Sequence, residues 1–173
     1  MVTRGTSVLE IGSGTGQHCA FFAKELPRVT FQPTETTGHA SPHFDATNAT
    51  VSLASIDAWC EGLANVRSAL EIDASKDHWP VKEKSFNAML VINLMHLCSP
   101  EARVGVFKRA SDVLTPSRGL IFVYGPFSID NDFLTDSNRA YDTILRSKDN
   151  KVNSGGAWGI QDVQEIDAIA SQF

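Results

Sequence analysis

The chain has 173 residues, 42% of them apolar and 20% charged, so it can bury roughly two-thirds of its unfolded surface in one self-sufficient core and has no room for a second full domain. Its net charge of -5 offers no general attraction to phosphate backbones, which disfavours nucleic acid as a partner. No apolar run approaches the roughly 20 residues that cross a bilayer, and the start moves directly into a strand, so a cytoplasmic or nuclear, non-secreted protein is expected. Cys19, Cys60 and Cys98 are odd in number and form no CxxC pair, the pattern of reduced core thiols. His18, His39, His43 and His78 show no metal-ligand spacing, and no metal is expected.

In chain order, Ser7 to Ile11 is a β-rich run ending at Gly12, Gly14 and Gly16, and Gln17 to Leu26 has helical spacing up to Pro27. Val29 to Gln32 reads as a second strand giving out at Pro33. Leu53 to Ala64 reads as a helix with an apolar stripe of Leu53, Ile56, Trp59 and Leu63, and Val66 to Ile72 as a third strand ending at Asp73. Phe86 to Ile92 is continuous enough to be covered on both faces. Ser99 and Pro100 suit a helix start, with Val104, Phe107, Ala110 and Leu114 as the stripe, before a fifth strand at Gly119 to Tyr124. A short helix around Asn138 to Arg146, a polar stretch at 148–156 expected to be mobile, and a last helix led by the Asp162 and Glu165 capping box complete the chain. This alternation predicts an α/β fold: an open, mostly parallel, Rossmann-like sheet with flanking helices.

Where the first strand meets the first helix, glycines let the backbone turn sharply and approach a ligand without a Cβ in the way. A GxGxG turn alone is weak evidence. Here it is joined by Glu35, nineteen residues after Gly16, which suits the ribose hydroxyls of an adenosine-containing ligand. Glu10, inside the first strand, is better placed near a cation than near a pyrophosphate. That favours S-adenosylmethionine over a nicotinamide nucleotide. Gly12, Glu35, Asp73, Asn93 and Tyr124 all fall at carboxyl ends of predicted strands, where ligands of open α/β sheets bind.

The segments LEIGSGTGQH, FQPTE, LASIDAW, ALEIDASKDHWP, INLMH, YGPF, SNRAYDTILRSKD and WGIQDV resemble the class I methyltransferase-like family called methyltransferase-like protein 26, also known as domain of unknown function 938. The resemblance runs from about Ser7 to Phe173. It implies a class I methyltransferase fold in which Gly12, Ser13, Gly14 and Gly16 line the methionine part of S-adenosylmethionine, Glu35 the ribose and Asp73 the adenine side. Asn93 and His96 would border the reacting region, and Tyr124, Asn138, Arg146, Trp158 and Asp162 fall in family-specific blocks that would shape the acceptor side. The chain departs from the family at Gly12, usually alanine, at Gln161, usually arginine, and in the longer link KVNSGGA.

Methyl transfer from a sulfonium needs alignment and exclusion of water, and a base only if the acceptor must lose a proton. His96 is the candidate base, against a packing role, and Tyr124 could orient an acceptor. Arg146 could hold an acceptor carboxylate or phosphate, or pair with Asp142 one turn away. The acceptor is read as a small molecule or a protein. The competing functions are noncatalytic cofactor or partner binding and, behind it, nicotinamide-dependent oxidoreduction. This fold normally ends in a strand hairpin beside strand five, for which the sequence has no later counterpart. The expectation is therefore one domain over 1–173 with one of three outcomes at the apolar edge of Gly119 to Tyr124: further chain of a longer protein of which this is a truncated part, pairing with a second subunit, or a weakened domain that binds cofactor poorly.

Overall fold

The computed structural model describes residues 5–36, 49–147 and 158–173. Five parallel strands, β1 (Thr6–Ile11), β2 (Val29–Glu35), β3 (Leu70–Glu71), β4 (Ala88–Ile92) and β5 (Leu120–Tyr124), form a sheet in the order β3-β2-β1-β4-β5. The chain direction across the sheet reverses between β1 and β4. This switch point opens a crevice beyond their carboxyl ends.

Alternation along β1 divides the core in two. Val8 packs with Cys19, Ala20, Phe31, Ile56 and Cys60 under α1 (Gln17–Glu25) and α2 (Ala49–Trp59), while Leu9 and Ile11 pack with Met89, Val91, Val106 and Val113 under α3 (Pro100–Val113) and α5 (Val163–Ala170). Both faces of the sheet are covered, as the predicted Rossmann-like architecture requires. Ser99 caps α3 by accepting from the Ala102 N–H, with Pro100 in the first turn.

Several elements differ from the expectation for identifiable reasons. β2 does not stop at Pro33 but runs to Glu35, with Pro33 opposite Glu10. It tolerates the missing N–H because β3 pairs with it only from Thr34 onward, and the Gln32 amide bridges the Pro33 and Ser68 carbonyls in between. The same detour cuts β3 to Leu70–Glu71, leaving Val66 as an isolated bridge to Phe31. In α2, Ile56 is buried but Trp59 is half exposed. In α3 the inward row is Ala102, Val106, Phe107, Ala110 and Val113, and Val104 faces out.

A three-stranded sheet absent from the sequence reading lies beyond β5: β6 (Phe127–Ile129), β7 (Asp132–Phe133) and β8 (Gln161–Asp162), in the order β7-β6-β8. Asp130 and Asn131, with φ of 54° and 61°, make the tight β6–β7 turn, a conformation that Asp and Asn tolerate. α4 (Asp136–Arg146) follows, capped by Thr135 through the Asn138 N–H. The stretch 148–156 lies outside the described residues, as do His39 and His43. Among the described residues no strand pairs with the outer edge of β5 and no helix is long and apolar enough to cross a membrane. Ile121 and Val123 of β5 pack on the core, whereas Leu120, Phe122 and Tyr124 are exposed.

Candidate active site: an acidic glycine turn at the sheet switch point

The turn after β1 uses left-handed backbone at Gly12 (φ 70°), Gly14 (φ 58°) and Gly16 (φ 96°), conformations that L side chains rarely adopt. Gly16 is also needed for space. A Cβ at Gly16 would lie 2.6 Å from the Ile56 Cα, so α2 can seat on the turn only because Gly16 has none. One at Gly12 would meet the Leu94 side chain at 3.2 Å, whereas Gly14 faces open space.

Three acidic and hydroxyl side chains hold this turn. The Ser13 hydroxyl donates to Glu10 Oε2 at 2.8 Å and accepts from the Thr34 N–H at 3.1 Å. Glu35 Oε2 accepts from the Gly14 N–H at 2.7 Å, and its Oε1 accepts from the Thr36 N–H at 2.9 Å. Glu10 is 1% exposed, and its Oε1 is without a partner among the described residues. Burial pushes the Glu10 carboxyl above the ordinary glutamate range; the Ser13 hydroxyl opposes this, and the nearby Glu35 adds to it. Burial also raises Glu35, against the pull of the Thr36 and Gly14 N–H groups. The Ser13 N–H is given to the Thr34 carbonyl and the Gly16 N–H to the Ser13 carbonyl, so these donors of the turn are consumed internally.

Asp73, after β3, closes an Asx-type turn by accepting from the Ser75 N–H at 2.9 Å and the Ser75 hydroxyl at 2.7 Å. Asn93 ends β4 in the left-handed region (φ 54°), exposed, with its N–H on the Tyr124 carbonyl. Tyr124 is 71% exposed at the end of β5. His96 is only 4% exposed: its ring meets Tyr141 of α4 edge to face, with centroids 5.6 Å apart, and a Cβ at Gly125 would lie 3.7 Å from its Nδ1. Glu10, the glycines, Ser13, Glu35 and Asn93 thus gather at the switch point, with His96 beneath the β4–β5 rim.

The residues expected on the acceptor side fall into two groups. Asn138 shares a face of α4 with Tyr141 and Asp142. Arg146, however, is engaged in a clasp: Nε reaches both Asp142 oxygens at 3.0 and 2.9 Å, and Nη2 donates to the Ile160 carbonyl at 3.1 Å. Asp142 in turn accepts from the Ile160 N–H at 2.7 Å. A Cβ at Gly159 would overlap the Asp142 carboxylate, which accounts for the glycine after half-buried Trp158. Asp162 caps α5 through the Gln164 N–H and ties down β6 through the Asn131 N–H and Ser128 hydroxyl.

The sequence reading missed Tyr141, and it missed Arg103. Arg103 is buried with no carboxylate partner among the described residues; it donates to the Met95 and Cys98 carbonyls and to Gln161 Oε1 at 2.8 Å, fixing the segment that carries His96 to β8. Its helical phase was the available signal, since Arg103 sits one turn before Phe107 on the inward face. The three cysteines are free and buried; Cys19 and Cys60, distant in sequence, are neighbours in space, and burial raises the Cys98 thiol to about 11.

The whole arrangement is that of a methyltransferase-like Rossmann fold. The S-adenosylmethionine-dependent methyltransferase SibL is 18% identical, with a TM-score of 0.63 over 98% of this chain and 44% of its own. A candidate methyltransferase from Bacillus halodurans C-125 (17% identity, TM-score 0.70, 98% of this chain and 62% of its own) and a candidate sarcosine dimethylglycine methyltransferase from Galdieria sulphuraria (16%, 0.67, 98% and 54%) share the fold. The chain spans about half the length of these proteins. The chain itself belongs to the DUF938 family, proteins of unknown function, whose family model matches residues 1–173.

Proposed function

We propose that the protein binds S-adenosylmethionine at the glycine turn and transfers its methyl group to a small molecule or a protein side chain. The observation that carries this reading is the charge of the cradle. Two carboxylates, buried Glu10 and half-buried Glu35, flank the turn, one oxygen of Glu10 lacks a partner among the described residues, and the Gly14 N–H that a phosphate would need is already given to Glu35. Such a site suits a cation and opposes a pyrophosphate. Glu35 has lone pairs left on both oxygens for the two ribose hydroxyls, Gly12, Ser13, Gly14 and Gly16 line the amino-acid tail, and Asp73 lies on the adenine side. When bound, the sulfonium supplies an already activated methyl group.

The chain's own residues then align the acceptor and exclude water. Asn93 and Tyr124, exposed at the rim, are the groups that touch it, with Asn138 and Trp158 as its outer boundary. Buried His96 suits a positioning or proton-accepting role beneath that rim better than the outer wall. The burial of His96 also favours a second reading, a noncatalytic cofactor-binding protein. Three buried free cysteines fit a reducing, cytoplasmic or nuclear compartment. The exposed row of Leu120, Phe122 and Tyr124 fits a covering partner, a second copy or further chain.

Calorimetric titration with S-adenosylmethionine, S-adenosylhomocysteine and oxidised and reduced nicotinamide nucleotides tests the reading. The adenosyl ligands bind to the wild type, and Glu35→Ala weakens them at least tenfold, with a modest loss of stability from the freed Gly14 N–H. Binding of a nicotinamide nucleotide alone, or an unchanged affinity in Glu35→Ala, refutes it.

A further inference from the structure

Glu10 presents an unusual combination. It lies on the β1 face that looks toward α1 and α2, is 1% exposed, and receives one hydrogen bond, from the Ser13 hydroxyl, for its two oxygens. A buried carboxylate kept ionised ordinarily has a basic partner or several N–H donors. Around Glu10 the described elements supply neither. β2 brings Thr34, whose hydroxyl donates to the Glu10 carbonyl, and the acidic Glu35; β4 sets Leu90 opposite; α1 brings the Cys19 thiol and the turn after α2 the Cys60 thiol. Among the described residues the titrating groups facing it are therefore one acid and two thiols, all neutral or negative. Glu35 differs, because two backbone N–H groups support its charge.

We infer that the site is proton-linked: Glu10 carries a proton when no ligand is bound, and a cationic ligand seated at the glycine turn displaces it. This rests on the cofactor reading above and adds its regulation. The exchange balances as a protonated Glu10 plus a cation giving an ionised Glu10 paired with the cation, and one proton released to solvent.

The direction follows from the raised Glu10 pKa. Below its unliganded value the cation must expel a proton, so the dissociation constant falls about tenfold per pH unit as pH rises, and it levels off once Glu10 is ionised in both states. Ligand affinity is thus lost on acidification through a window above the ordinary glutamate range.

The test is calorimetric titration of the whole chain with S-adenosylmethionine between pH 5 and 8, in paired buffers of unlike ionisation enthalpy. The expected result is release approaching one proton per site on the acid limb. Glu10→Gln, which keeps the shape and the Ser13 contact, gives a flat profile and no release beyond the ligand's own ionisation. Ser13→Ala, losing the donor that favours the charged form, moves the acid limb to higher pH. Binding without proton release in the wild type overturns the inference and leaves the cofactor reading standing, as does release that persists unchanged in Glu10→Gln. Absence of any binding in the wild type overturns both.

Discussion

Gly105 sits in the middle of α3, where alanine would ordinarily add about 1 kcal/mol of helix stability. Its position reverses that sign. A Cβ built there overlaps the carbonyl oxygen of Ala74, with the Ala74 carbonyl carbon at 3.0 Å and the Ser75 Cα at 3.6 Å behind it. These are backbone atoms, so no side chain can rotate away, and either α3 or the 73–76 turn must shift. Overpacking of this kind costs about 1–3 kcal/mol, and near-overlap with main chain belongs at the top of the range. After the propensity gain, Gly105→Ala is expected to lose about 2 kcal/mol, or about 4–8 °C in melting temperature for a chain of this length. The turn that moves is the one held by Asp73 through Ser75, so affinity for S-adenosylmethionine is expected to fall together with stability. Thermal melting followed by calorimetric titration checks both. A variant that melts at or above the wild-type temperature with unaltered affinity would refute the reasoning, because the close approach of α3 would then be doing nothing to place Asp73.

Two further outcomes follow from the geometry. Asp142→Asn weakens the clasp on Arg146 and the Ile160 N–H and is expected to cost about 1–3 kcal/mol in denaturant unfolding; an unchanged midpoint would mean that β8 is held by other contacts. If a second copy covers the outward row of β5, ultracentrifugation finds the wild type above monomer mass and Phe122→Asp at monomer mass, whereas a well-folded wild-type monomer in dilute solution removes that partner.

The alternating strands and helices were readable because each pattern is local. Strand β1, the glycine turn and α1 follow one another within twenty residues, and Ser99 with Pro100 marks α3 without reference to anything distant. What escaped depended on contacts far apart in the chain. Pro33 looks like a strand terminator until Gln32 is seen to bridge to Ser68, thirty-six residues on. β6 and β8 are two or three residues each and pair across a separation of more than thirty residues, too short for a period to register. Trp59 and Val104 belonged to plausible stripes because one helix can carry two overlapping apolar phases, and only the neighbouring layer selects between them.

The candidate site divides along the same line. Glu10, Ser13, the glycines and Glu35 could be placed from spacing because β1 and β2 are adjacent parallel strands, and parallel register brings Ile11 beside Thr34 and so Glu35 over the turn. The acceptor side could not, since it depends on how α4 and β8 lie against the β4–β5 rim. Arg146 illustrates the difference. Its spacing from Asp142 allowed either an ion pair or a free guanidinium aimed at substrate, and the choice is made by Ile160, fourteen residues later, which binds both members of the pair. The guanidinium and carboxylate satisfy that backbone segment and hold β8 beside β6. Among the described residues the acidic side chains held at the glycine turn are then Glu10 and Glu35, while Asp73 has Lys76 at 3.9 Å, and the proposed cationic ligand rests on that acidic pair and not on Arg146.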